Sequence, residues 1–560
     1  MDRNLLIAVA LSFLVVMLWG SLQEAPPPPP GQESSEPAPG PGPGPEEAAP
    51  ELAPLPEAAP ETLAAPAAQA ESLPEARSFA FETADYRAEV VDVGAGLRGW
   101  RLAGYHTGGR DPRPIELATA EPPFDLLGAT SLRDLGLGDL ARVAWPVESR
   151  DASGVTFALT RDGVSVRKAW RFEDLYTVRL QLHVENRSNA PVTSDFAVDW
   201  PAHVVDANDF REQALAALHG GALEQALLGS FGRSGFWNAF TGPPDKVVDY
   251  RSEQGENQWA GVNTTYFLSV LLPDEPSKAS VRFEVLEPGR SGLARIFFEP
   301  VRIPPGLALA RNFSGYLGPK LPATLDRVGG DTIRAIDLGW SWVRPLTRFF
   351  GWLLHEIYAF VPNYGVAIIL LTILVRVVTT PLTMRQMRSM ERMRAVQPQL
   401  KEIQEKFKDD RQKQSEEMMR LYRKEKVNPL GGCLPMLLQL PVFIGLFYAL
   451  RGSIELRQAP FFGWIVDLSA PEALFEIPGI GIPVRVLPLI MGATMVLQQR
   501  ITPMQVDPAQ ARMMMTIMPI MMTVIFYQFA SGLVLYWMVS NVLAIAHQLW
   551  VGRRMRAGKT

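Results

Sequence analysis

The chain has 560 residues, a net charge of −5 and 47% hydrophobic residues. That is too long for one compact domain and too nearly neutral for general affinity to nucleic acid. Its single cysteine, Cys433, excludes an intramolecular disulfide, and six scattered histidines give no metal-ligand spacing. With no P-loop, dinucleotide fingerprint or GxSxG elbow, neither an ATPase nor a hydrolase has a motif behind it.

Apolar residues concentrate near 4–20 and beyond 357, around a more polar middle, the pattern of a membrane protein with a large aqueous domain. Residues 1–22 carry a short charged lead and an apolar run from Leu5 to Trp19. A cleaved signal peptide and a retained anchor both fit that run. The missing small-x-small site after Gly20 and the interface-type Trp19 favour the anchor. Residues 23–76 are rich in Pro, Ala, Gly and Glu and cannot bury enough apolar surface to fold, so they read as a tether.

From 77 to 328 the period becomes two. In "TVRLQLHVEN", Val178, Leu180, Leu182 and Val184 alternate with polar residues, which predicts a half-buried strand. "GVTFALTRDGVSVRKAWRF" predicts two strands about an Asp162–Gly163 turn, and "SVRFEVL" and "ARIFFEPVRI" add more. The block reads as an antiparallel β-sandwich, with "DFREQALAALHGGALEQALLG" as a helical insertion. No pair of catalytic carboxylates stands out in it, so binding, spacing or scaffolding is the expected role. Residues 331–358 mix Trp340, Trp342, Phe349, Phe350 and Trp352 with Arg344, Arg348 and His355. That composition predicts an amphipathic helix in the headgroup layer, the alternative being a helix packed on the sandwich.

Residues 359–551 hold five predicted spans, at about 361–383, 431–450, 484–500, 513–530 and 532–551. Residues 384–430 carry 13 Lys/Arg against 8 Asp/Glu, whereas 452–483 carry one basic residue against four acidic ones. By the positive-inside rule, 384–430 and the short basic tail 552–560 are cytoplasmic and 452–483 is outside. With the N-terminal anchor this predicts six spans with both termini inside. The segment 384–426 reads as a helical hairpin about Asp409–Asp410, with Met387 in a methionine stripe beside Arg394.

One arginine, Arg376, interrupts the first of these five spans, about 20 Å along it at ~1.5 Å per residue. Snorkelling to the inner headgroups is one account of it. The other is a wet cavity. Thr372, Thr379 and Thr380 share its helix face, other spans add Gln439, Thr494, Gln528, Ser540 and Asn541, and none of the five spans contains Asp or Glu. A missing carboxylate leaves water, lipid phosphate or a visiting anion to satisfy the charge. It also weakens a proton- or sodium-coupled transporter, although a lipid or small-solute transporter remains the alternative function.

"VRVVTTPLT", "EKVNPLGGCLPMLLQLPVF", "ELRQAPFFGWIVDLSA" and "SGLVLYWMVSN" closely resemble the YidC membrane protein insertase family of Gram-negative bacteria. The resemblance is dense from about 340 to 551 and implies a six-helix inner-membrane protein with a periplasmic β-supersandwich and a cytoplasmic hairpin. It implies insertion and folding of newly made membrane proteins, alone or with the Sec translocon. It implies no enzymatic chemistry, no cofactor and no nucleic acid. Ribosome or signal-recognition machinery are further candidate partners beside the lipid bilayer, though the short tail argues against strong ribosome binding. The family's hydrophilic groove maps onto Arg376, Thr372, Gln439, Tyr536 and Trp537, where Trp537 departs from the family's second tyrosine. Its substrate slide maps onto Cys433, Pro435, Pro441, Met491, Met518 and Phe526.

Overall fold

The computed structural model describes residues 76–557, apart from 108–111, 120–125, 131–134, 136, 138–139, 195, 204–212, 233–244, 409, 426–433, 478–482 and 502–507. The expected N-terminal anchor, the tether up to residue 75, Asp409 and Cys433 therefore lie outside the described residues. So do the side chains of Met387, Arg394, Pro435 and Gln439, whose backbones are helical.

The β-domain is built on a nine-stranded antiparallel sheet. Its order is Ala222–Leu227, Ala214–His219, Asn257–Asn263, Phe267–Pro273, Ala308–Pro319, Thr177–Asn186, Val164–Phe172, Gly154–Arg161 and Val147–Arg150. Two four-stranded sheets accompany it, one of strands between Ser78 and Thr119 and one containing Val198–His203, Val247–Tyr250, Ala279–Glu287 and Ser291–Phe298. Val178, Leu180, Leu182 and Val184 are all buried, as the period-two pattern requires. Asp162 and Gly163 both have positive φ and form the predicted turn, with Arg161 opposite Val164. Buried side chains from all three sheets, among them Trp100, Trp170, Trp200 and Trp259, form one continuous core.

The helical insertion is not observed. Ala214–His219 and Ala222–Leu227 are paired strands joined by Gly220–Gly221, with φ of 52° and 76°. Alanine and leucine favour helix intrinsically. Here Ala214 through Leu218 are buried on both faces, so tertiary packing overrides that preference. The Gly-Gly pair was the sequence's signal for a two-residue hairpin.

Lys168 and Trp170, two positions apart on the same strand, fasten loops of the first four-stranded sheet to the large one. Lys168 Nζ donates to the carbonyls of Gly94 (3.1 Å) and Gly128 (2.5 Å), and Trp170 Nε1 donates to Ala95 O (2.8 Å). A second buried lysine, Lys320, donates to Asn263 Oδ1 (3.1 Å) and Ala335 O (3.0 Å), holding the segment that leads out of the β-domain. Burial pushes both ammonium groups down to about 7. Since these values lie below those of the unfolded chain, the unfolded chain binds more protons from about pH 7 up to the ordinary lysine range. Stability should therefore rise with pH across that window, by up to about 1.4 kcal/mol per unit per lysine. Lys168→Met keeps the stem and removes the amine, so urea midpoints of this variant should climb less steeply between about pH 7 and 9 than those of the parent. Equal slopes would contradict a neutral Lys168 in the folded state.

Eight helical segments concern the rest. These are α1 (Pro322–Val328), α2 (Arg344–Phe360), α3 (Tyr364–Lys406), α4 (Arg411–Lys424), α5 (Leu434–Gly452), α6 (Val486–Ile501), α7 (Pro508–Phe526) and α8 (Ser531–Ala557). The expected bridging helix is shorter than 331–358. After a 3-10 turn at Thr332–Ala335, α2 begins only at Arg344, with Pro345 in its first turn where no backbone N–H is needed. Its Thr347, Phe350 and Leu354 are buried while Phe349 and Trp352 are exposed, and the buried face packs on α5 rather than on the sandwich.

The first predicted span is the opening half of α3, which runs unbroken for 43 residues. Val396 and Leu400 of its far half pack on Leu421 of α4, and Asp410 Oδ1 caps α4 by accepting from Lys413 N (3.1 Å). Two helices are long and apolar enough to cross a membrane, over Tyr364–Pro381 and Ser531–Val551, and Leu440–Gly452, Val486–Ile501 and Met515–Phe526 are shorter apolar stretches. The loop after α5 ties the two domains together. Ile454 joins the sandwich core, Arg457 donates to His106 O (2.6 Å), and Gln458 donates to the carbonyls of His106 (2.8 Å) and Thr107 (3.0 Å).

Candidate functional site

The sequence of α3 places Thr372 and Arg376 one turn apart on one face. Tyr536 and Ser540 stand in the same relation on α8, and the two helices pack together. Arg376 is half-buried and reaches across to Ser540. Its Nε donates to Ser540 Oγ (3.1 Å), and its Nη2 donates to Ser540 O (2.9 Å) and Oγ (2.5 Å). Asn541, the next residue, donates to Thr494 Oγ1 of α6 (3.4 Å) and so ties in a third helix.

Both acceptors on Ser540 are neutral. Among the described residues no carboxylate pairs with Arg376, and the apolar stretches of α3, α6 and α8 contain no Asp or Glu. The guanidinium is therefore positioned by hydrogen bonds to neutral groups and meets no carboxylate counter-charge among the described residues. Five N–H donors are available to it, and those on Nη1 have no partner among the described residues.

The three threonine hydroxyls each donate to their own helix: Thr372 to Ile368 O (2.6 Å), Thr379 to Val375 O (2.9 Å) and Thr380 to Arg376 O (2.7 Å). Inside an apolar helix this internal bonding satisfies the hydroxyl. Trp537, one residue after Tyr536, lies on another helix face, and its ring packs on Phe443 of α5 (4.8 Å) and Phe526 of α7 (5.1 Å). Met491 is fully buried and Phe526 nearly so, hence neither offers a surface to a passing chain, whereas Pro441 and Met518 are partly exposed. Ser540 as the arginine's partner was not anticipated. The two lie 164 residues apart, and polarity in an apolar run was the sole signal.

A β-sandwich joined to a bundle of long and short apolar helices, two of them long and apolar enough to cross a membrane, with an arginine among them that meets no carboxylate among the described residues, is the architecture of a membrane protein with a large aqueous domain. The 60Kd inner membrane protein family model matches residues 356–558, and the YidC periplasmic domain model matches residues 78–353. The membrane protein insertase YidC of Nitratidesulfovibrio vulgaris strain DP4 is 35% identical over 99% of this chain and 99% of its own. That of Hahella chejuensis is 36% identical over 73% of this chain and 69% of its own. A crystal structure of an active YidC insertase with its first transmembrane domain resolved covers 85% of this chain and 92% of its own, at 19% identity and a TM-score of 0.35. The chain belongs to the YidC family of membrane protein insertases.

Proposed function

We propose that this insertase receives the extracytoplasmic segment of a newly made membrane protein at Arg376 and passes the client's apolar part into lipid along α5 and α7. The observation that carries the reading is a half-buried guanidinium on a helix apolar enough to span a membrane, held by Ser540 and meeting no carboxylate among the described residues. Polar or acidic client groups meet that charge instead of acyl chains, which lowers the desolvation cost of crossing. Membrane potential adds ~2.3 kcal/mol per charge per 100 mV for acidic segments moving outward. No nucleotide is used.

In this reading six spans cross the inner membrane with both termini cytoplasmic, and the α3–α4 hairpin, capped by Asp410, stands in the cytoplasm with Met387, Arg394 and Asp409. The domain limits are 1–22 anchor, 23–76 tether, 77–328 periplasmic sandwich, 331–358 interfacial segment and 359–551 insertase core, with a basic tail after it. The groove comprises Arg376, Thr372, Tyr536 and Gln439, and the slide comprises Cys433, Pro435, Pro441 and Met518. Nascent membrane proteins are the clients, and the Sec translocon, ribosome and signal-recognition machinery are candidate partners. Ile517, Ile520 and Val524 of α7 and Leu440 of α5 are exposed apolar positions suited to photocrosslinkers. Probes there should capture the apolar segment of a ribosome-bound client. Capture no greater than from Leu307, on the β-domain surface, would contradict the proposed path.

A further inference from the structure

We infer that the tight turn Phe461–Ile465 is a lipid-dipping element seated in the outer-leaflet interface, inserting Phe462 and Val466 among headgroups and upper acyl chains. The turn is preformed. Phe461 N donates to Ile465 O (3.0 Å), Ile465 N donates to Phe462 O (3.2 Å), and Gly463 takes φ of 63°. Ile465 and Leu468 anchor it in the helical core, and Trp464 Nε1 donates to the Glu472 carboxylate (2.7 Å). With those side chains turned inward, Phe462 and Val466 are left 79% and 71% exposed. Residues 459–466 carry no charge.

The turn's position identifies its occupant. Asn363, the N-cap of α3, accepts from Val366 N (3.0 Å) through Oδ1 and donates to Phe461 O (3.2 Å) through Nδ2. The Phe461 ring lies so close to Gly365 that a Cβ there would strike it. At the other end, Ser531 Oγ donates to Asp467 O (2.6 Å) and Gly532 N to Leu468 O (2.9 Å), at the start of α8. The turn is thus fastened to the same end of both helices that are long enough to span a membrane. Phe360, 85% exposed, lies three residues before Asn363. Large apolar side chains without charge, rigidly held where spans leave the hydrocarbon, match the interfacial lipid layer. A water-facing role would leave their area unpaired. The inference rests on the reading that α3 and α8 cross the bilayer.

The test uses full-length protein carrying Cys433→Ser and one added cysteine labelled with an environment-sensitive fluorophore. It is reconstituted in phosphatidylethanolamine–phosphatidylglycerol vesicles with nitroxide lipids of different depth. Phe462→Cys is the test site, Ile517→Cys at the middle of α7 the acyl-depth reference, and Leu307→Cys the aqueous reference. The Phe462 label should emit to the blue of the Leu307 label and be quenched more by shallow than by deep nitroxides, the Ile517 label showing the reverse order. A Phe462 label that matches the Leu307 label while Ile517 stays quenched overturns the inference and leaves the spanning helices intact. A Phe462 label shielded from nitroxides and aqueous iodide alike also overturns it, since a protein partner would then cover the turn. An unquenched Ile517 label contradicts the spanning reading itself.

Discussion

Arg376→Ala should slow insertion of clients with short polar or acidic extracytoplasmic segments by roughly tenfold to a hundredfold, the effect of losing about 1.5–3 kcal/mol of charge-assisted bonding. Arg376→Lys should retain most of the rate. It keeps the charge but not the planar fork that binds the Ser540 hydroxyl and carbonyl together. Ser540→Ala separates charge from aim: the guanidinium stays but loses two of its three contacts. A loss smaller than that of Arg376→Ala is expected, because the remaining Ser540 carbonyl still accepts. Protease-protected client in vesicles holding each variant is the readout. Full activity of Arg376→Ala on every client would make this arginine a side chain that snorkels to the inner headgroups.

Trp170→Ala should destabilise the β-domain by about 3–5 kcal/mol, the usual cost of emptying a large aromatic site. The indole is almost wholly buried and its Nε1 holds Ala95 O at 2.8 Å. Removal opens a cavity and strands a carbonyl beside the two that Lys168 holds. Gly94 and Ala95 lie in the hairpin loop between Tyr86–Val91 and Leu97–His106 of the first four-stranded sheet, and Gly128 on the segment that leaves it for the large one, so that sheet should detach first. Trp170→Phe fills most of the space and loses the hydrogen bond, for a cost of about 1–3 kcal/mol. Urea midpoints from pulse proteolysis of the full-length protein in detergent give the comparison. A Trp170→Ala midpoint within about 1 kcal/mol of the parent would contradict the fastening role.

What could be read beforehand divides by sequence distance. The Thr177–Asn186 strand and the Asp162–Gly163 turn are local patterns, a period of two and two residues that tolerate positive φ, and both stand as expected. Arg376 was visible because one cation in an apolar run needs no partner to be noticed. The Ala214–Leu227 hairpin was misread because its helix-favouring composition lies between sheets that only the folded chain brings together. The packing of Trp537 was hidden for a similar reason. Its neighbour Tyr536 shares a face with Ser540, while the tryptophan turns toward Phe443, nearly a hundred residues away in sequence. The serine that orients the arginine could not be paired with it from one chain. Two small polar residues, Ser540 and Asn541, stand together on α8, and nothing local distinguishes them.

Purified full-length protein can be reconstituted in vesicles without translocon or nucleotide and given a short-tailed membrane protein as it is synthesised. The client's tail should become protected from added protease, well above empty vesicles, and protection should fall with Arg376→Ala. Protection no greater than in empty vesicles, with parent and Arg376→Ala alike, would contradict insertion by this chain alone.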